Sequence, residues 1–326
     1  MILTALCLAL SPALSGPAST SAPALAPDVT PDVTPPTLLE PASPDLLLAR
    51  LPRRDAQGRE QFIGSGAAPG GRLLLVMGPP TTADGVVPAG NLSIVSRELW
   101  PLDVRWLLAD GSGQVAFQLP QAEGLRVQLW RAGSASLSRA RSRSLPLARR
   151  LSANYSGPPA VISEFMKDPT DVTDTHGEWV EITNLNPWRL RIEGWVLSDD
   201  GGNHALLGGG PEILRCGPGE SIVIGRDADP MTNGGVPVLG EWTGFTLSNG
   251  ADEIILSTPD GVVVDRVAYD DGVLWPESPG QSLALDPAAL DVTLNDDPAN
   301  WCLSQTVWNG GSTDTGTPNA PNTSCP

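Results

Sequence analysis

Residues 177–269 constrain this chain most. They fall into short blocks in one order: GEWVEITN, IEGWVLSDDGG, CGPGESIVIGR, FTLSNGADEIIL and GVVVDRVAY. Each block alternates apolar and polar side chains and closes on a turn signal, as half-buried strands do. Nowhere does the chain sustain a helical stripe; its best helix candidate, Asp286–Leu290, is one turn long. With Gly 35, Pro 33 and only 17% charged residues, composition also favours turns and short strands.

The order and spacing of those five blocks resemble the lamin-tail domain, an immunoglobulin-like β-sandwich of nuclear lamins and many secreted bacterial proteins. The resemblance extends over most of residues 156–322, from the entry strand PAVISEFMKDP to the closing GTPNAPN. It implies a sandwich that carries loops rather than a catalytic cleft. It leaves the partner open, because a fold shared so widely does not set function.

The expected fold is all-β, with two β-sandwich domains, the C-terminal one immunoglobulin-like. Residues 1–18 read as a signal peptide: an apolar run, ILTALCLALSPAL, leads to small residues near Ala18. That run is too short to span a bilayer. Residues 19–57 read as a Pro-rich spacer that opens with the repeat PDVTPDVT, so ordered structure is expected from about residue 58. Residues 58–150 form the first sandwich. In it, REQFIGSGAAPGGRLLLVMGPP supplies two strands and DVRWLLADGSGQVAFQLP a hairpin around Asp-Gly-Ser-Gly. Residues 156–322 form the lamin-tail domain with its C-terminal extension.

Charge is lopsided. Residues 1–150 hold 14 Arg and Lys against 11 Asp and Glu, whereas residues 151–326 hold 6 against 26, and the chain carries a net −17. An acidic half of this kind repels phosphate polymers, so the association of some lamin tails with DNA is not carried over and nucleic acid is not the expected partner.

Catalytic residues are not expected. The two histidines, His176 and His204, lie in different loops, and the chain has no serine elbow, no paired-histidine motif and no zinc-type cysteine spacing. No cofactor is called for, Ca²⁺ excepted. Asp168, Asp171, Asp174 and Glu178 place four hard oxygen donors in and beside one loop, a candidate calcium set that differs from EF-hand spacing. The competing reading is a solvated acidic loop. Arg139, Arg141 and Arg143 alternate along SLSRARSRSL, so one strand face carries all three. They suit an anionic polymer; equally, they suit a charged edge strand or a face docked on the acidic half.

Past the leader, three cysteines remain. Cys302 and Cys325 bracket a loop rich in Gly, Thr and Asn and are expected to form a disulfide, which leaves Cys216 as a buried thiol. Trp188 and Trp308 lie in loops, where an exposed indole stacks on a sugar. The resulting expectation is a non-catalytic, exported interaction or structural protein, secreted or associated with the cell surface, that binds an extracellular protein or glycan. One alternative is an accessory binding protein for a separately encoded secreted hydrolase. The other is a carboxylate-based hydrolase.

Overall fold

A computed structural model describes residues 46–80, 85–89, 92–96, 103–131, 141–147, 160–209, 213–308 and 313–326. The expected leader, most of the spacer and Arg139 lie outside these residues. All described residues fall in one compact unit, Ala42–Pro326.

The first half contributes β1 (Leu47–Arg54), β2 (Glu60–Ser65), β3 (Arg72–Gly78), β4 (Gly85–Ala89), β5 (Leu92–Ser96), β6 (Asp103–Leu108), β7 (Val115–Leu119), β8 (Arg126–Arg131) and β9 (Leu145–Pro146). They form a β1-β2-β7 sheet, a β6-β3-β8-β9 sheet and a β4-β5 hairpin. Leu48, Phe62, Leu73, Leu75, Val127 and Leu129 fill the space between the two larger sheets.

Two expectations for this half are corrected. Residues 47–54, assigned to the spacer, form β1. Leu48 faces the core of the first sandwich, while Ala49 and Leu51 pack with Ile63 against Val196 and Leu206 of the second. Cover on both faces erases the alternation, with Arg50 buried beside Glu60 (3.6 Å) in mid-strand, and the place of β1 at the sheet edge tolerates Pro52. The Asp-Gly-Ser-Gly segment does form a tight turn, with Asp110 accepting bonds from Ser112 N and Gln114 N. Its flanking strands are no hairpin, however, since β6 pairs with β3 and β7 with β2. The turn is a corner between sheets.

The second half adds β10 (Ala160–Met166), β11 (Trp179–Asn184), β12 (Leu190–Arg191), β13 (Val196–Ser198), β14 (His204–Leu206), β15 (Arg215–Cys216), β16 (Ser221–Gly225), β17 (Gly240–Glu241), β18 (Asp252–Ser257), β19 (Val263–Tyr269), β20 (Leu283–Leu285) and β21 (Trp301–Leu303). A six-stranded sheet, β17-β16-β11-β10-β20-β21, faces a four-stranded one, β14-β13-β18-β19. Val180, Ile182, Ile222 and Ile224 share the inner face, as their alternation requires, and meet Trp195, Leu197, Ile254 and Leu256. Aromatic contacts from Phe165 to Tyr269 (5.1 Å between ring centroids) and to Trp301 (5.5 Å) close one end of this core. Gly194 sits at φ +81° in a turn where Trp195 N donates to Ile192 O.

A bulge in β10 sets the polar layer. Pairing with β11 shifts between Ile162 and Glu164, after which Glu164 lies directly opposite Glu181. The extra residue lets Ile162 and Phe165 both enter the core while two carboxylates sit side by side on the far face. Cys302 and Cys325 form the expected disulfide, and Cys216 is a buried free thiol. Burial pushes that thiol up to about 11, which suppresses the reactive thiolate.

Candidate functional site

The loop at 167–178, between β10 and β11, organises one end of the second sandwich. Asp314, buried, accepts bonds from Thr170 N (3.0 Å), Thr170 Oγ1 (2.5 Å) and Asp171 N (3.2 Å). Asp171 returns the arrangement, accepting from Thr313 N (2.5 Å), Thr313 Oγ1 (2.6 Å) and Asp314 N (3.1 Å). Two loops far apart in sequence are thus clasped by reciprocal carboxylate–amide bonds.

Lys167, the sole lysine of the chain, is buried here with its side chain only 2% exposed. Its ammonium donates to Asn249 O (2.5 Å), pairs with Glu277 and lies 5.2 Å from the centre of the Tyr269 ring. Asn249 in turn donates to Asp168 (3.2 Å) and Asp174 (3.3 Å). Burial raises the pKa of Asp168, with repulsion from Asp174 and Glu277 adding to it and Lys167 opposing it.

Further along, Glu178 accepts bonds from Leu247 N (3.1 Å) and Arg226 (3.3 Å). Burial pushes its carboxyl up to about 7 against the pull of both partners. His176 bonds Asp227 through Nδ1 at 2.7 Å, which ties in loop 227–236. Asp270 caps Val273, Leu274 and Trp275 through their backbone amides. The loops so pinned display side chains that do not pack: Met231 is 89% exposed, Val273 79% and Leu274 74%.

The four acids of the calcium set therefore separate. Asp168 and Asp174 share the Asn249 amide, Asp171 serves the 313–314 backbone, and Glu178 faces Arg226 and Leu247 N. Among the described residues no group of three or more His, Cys, Asp or Glu is placed to hold a metal ion. The two loop tryptophans also part. Trp188 is exposed, as a stacking surface requires. Trp308 instead packs edge-on against Trp179 (6.3 Å, 89°) and donates to Gly234 O.

The arginine stripe is described for two of its three members. Arg141 lies over the Trp130 ring at 5.8 Å, and Arg143 is exposed. Both line a crevice of about 390 Å³ together with Arg191, Glu193, Trp195 and Pro259 of the second sandwich.

Sequence reasoning missed the buried carboxylates on the outer face of the six-stranded sheet. Glu164 accepts from Ser282 Oγ (2.5 Å), Thr317 N (2.7 Å) and Thr317 Oγ1 (2.8 Å). Glu181 accepts from Ser163 Oγ (2.7 Å) and from Asn319 N (2.7 Å). Asn319 is the non-glycine residue at positive φ (61°) among the described residues, and its amide is thereby aimed at the carboxylate. Burial raises both pKa values, that of Glu181 to about 7 with the neighbouring Glu164 as second cause. Glu181 also borders a cavity of about 610 Å³ at the C-terminal tail, lined by Ser163, Thr183, Glu220 and Asn322 on one hand and by Pro287 and Leu290 on the other. On the opposite side, Asp265 accepts from Ile162 N (2.6 Å) and Asn295 (2.8 Å), and burial pushes it up to about 7. These acids hold backbone amides in place.

Fold and site together define a class: paired β-sandwiches, the second immunoglobulin-like, with polar chemistry spent on fixing loops. Residues 153–271 match the model of the Lamin Tail Domain family, so that span of the second sandwich is similar to lamin tails. No curated protein matches the chain. Among solved structures it is similar to a DUF4876 family protein from Bacteroides thetaiotaomicron, at 10% identity and a TM-score of 0.29. That similarity covers 66% of this chain and 82% of the other. No helix among the described residues is long and apolar enough to cross a membrane.

Proposed function

We propose that this protein is an exported, non-catalytic interaction module of the cell surface or secreted matrix, and that the clasped loops of its lamin-tail sandwich are the contact surface. The observation that carries this reading is the pairing of immobilised backbone with exposed apolar tips. Loops 167–178, 227–236 and 270–277 are held by Asp171, Asp314, Lys167, Asp227 and Asp270, yet they present Met231, Val273 and Leu274 to solvent. Ordering those loops beforehand lowers the entropy cost of binding, and exposed apolar side chains supply contact area. The disulfide supports an extracellular setting, where such bonds persist. The expected partner is a surface protein or glycan.

The test is affinity capture from an extracellular and envelope fraction, with the native chain and with a Met231→Asp/Val273→Asp/Leu274→Asp variant as paired baits. A partner retained by the first and lost by the second is the expected result. Equal retention by both baits removes the loops from the binding surface. Hydrolysis of protein or polysaccharide by the purified chain contradicts the non-catalytic reading, and a captured hydrolase selects the accessory role.

A further inference from the structure

The crevice between the two sandwiches collects positive charge on a protein whose net charge is −17. Arg141 and Arg143 stand two residues apart on one side of an extended segment, and Arg191 meets them from the second sandwich. The three guanidinium groups are positioned differently. Arg141 is braced over the Trp130 ring, and Arg191 is held by Glu193 through Nε (3.2 Å) and Nη2 (2.8 Å). The Arg143 guanidinium is exposed and makes no hydrogen bond or ion pair with a described residue.

The wall opposite supplies other chemistry. Trp195, Pro259 and Leu47 give apolar surface, and Glu193 adds a nearly buried carboxylate with a side chain only 4% exposed. Both bonds from Arg191 end on Glu193 Oε2, so Oε1 remains to accept from a ligand. Glu193 asks for a hydroxyl donor beside the anionic group, which a bare phosphate or sulfate dianion lacks. A ligand with one carboxylate, several hydroxyl donors and an apolar ring face satisfies every wall at once. A volume of about 390 Å³ also lies within the usual range for small-ligand sites.

We propose that this crevice binds an acidic saccharide of the uronate type. Arg143 and Arg191, with Arg141 behind them, take the carboxylate, because planar guanidinium groups match it in paired hydrogen bonds. Glu193 Oε1 accepts a ring hydroxyl, and Trp195 and Pro259 meet the sugar C–H face. The site is separate from the loop surface proposed above and stands without it.

Calorimetric titration of the full chain tests this with glucuronate, a short oligogalacturonate, a neutral oligosaccharide of the same length and sodium sulfate. Binding of a uronate, weakened roughly tenfold or more by Arg143→Glu and by Arg191→Ala, is expected from the loss of a charged hydrogen bond. Arg189→Glu, an exposed change outside the crevice, should leave affinity unaltered. Equal affinity for glucuronate and the oligomer identifies the free acid as ligand, and tighter binding of the oligomer identifies a polymer; either supports the site. In the unsubstituted chain, saturating uronate should protect Arg143 and Arg191 from an arginine-modifying dicarbonyl, read by peptide mass mapping, which does not depend on the variants folding. The proposal is overturned by no uronate binding, by equal binding of the neutral sugar or of sulfate, by undiminished binding in both folded variants, or by unprotected arginines.

Discussion

Replacing Glu181 by Gln should flatten part of the pH dependence of stability. In the folded chain this carboxylate lies opposite Glu164, is 1% exposed, and is pushed up to about 7 by burial and then by its neighbour. The reference value is 4.5. A folded-state pKa above the unfolded one stabilises fully below 4.5, and the benefit is lost as pH rises through about 7. At about 1.4 kcal/mol per unit, the group contributes on the order of 3 kcal/mol that is present at pH 4 and absent by pH 9. Glutamine keeps the shape and cannot ionise. Its oxygen can accept from Asn319 N, while its amide nitrogen can donate to Ser163 Oγ, the groups that Glu181 now engages. The variant should therefore lie within about 1 kcal/mol of the parent at pH 4 and exceed it by about 2 kcal/mol at pH 9. Urea unfolding followed by tryptophan fluorescence, with the disulfide intact, measures this. Glu178 and Asp265 shift stability in the same direction, so the quantity to read is the parent-minus-variant difference, in which they cancel. A difference that does not change between pH 4 and pH 9 would refute the reasoning.

Asp314→Ala should cost about 2 to 3 kcal/mol, because it strands Thr170 N and Asp171 N inside the loop clasp; a change under 0.5 kcal/mol in urea unfolding would show that the clasp is ornamental to stability. Lys167 should resist acylation by an amine-reactive ester in the native protein and react promptly once the chain is unfolded, since its ammonium is buried against Asn249 O and Glu277; prompt native labelling in a mass map contradicts that burial. Calcium in excess over chelator should leave the melting temperature unchanged, because Asp171 and Glu178 are committed to partners other than Asp168 and Asp174. A rise of several degrees would mean that the loop rearranges around an ion.

The inner-face strands were legible for a plain reason. Val180 and Ile182 alternate with Glu181 and Thr183, and Ile222 and Ile224 take every second position of β16, so a period of two marks the face that enters the core. The loop cysteines were equally readable, since their pairing closes a short segment at separation 23. Strand β1 was hidden because both of its faces are covered, which erases the alternation. The Asp-Gly-Ser-Gly turn was readable as a turn, but a turn does not say whether the strands it joins stay in one sheet.

Glu164 and Glu181 show where reading residues along the chain stops. Each occupies a polar position in a strand, where sequence periodicity assigns solvent. The tail around Thr317 and Asn319 returns from far along the chain to cover them, and only that return converts two surface acids into buried latches. The same holds for the arginines. Their spacing was visible, whereas the partner wall of Arg191, Glu193 and Trp195 comes from a different sandwich. The amino-acid order alone determined the strand pattern, the lamin-tail fold, the disulfide and the charge asymmetry, because each depends on local alternation, composition or short separations. Tertiary structure decided which acids are buried, which loops are clasped and where cations meet a cavity, because those depend on contacts between segments up to about 150 residues apart, as between Glu164 and Thr317.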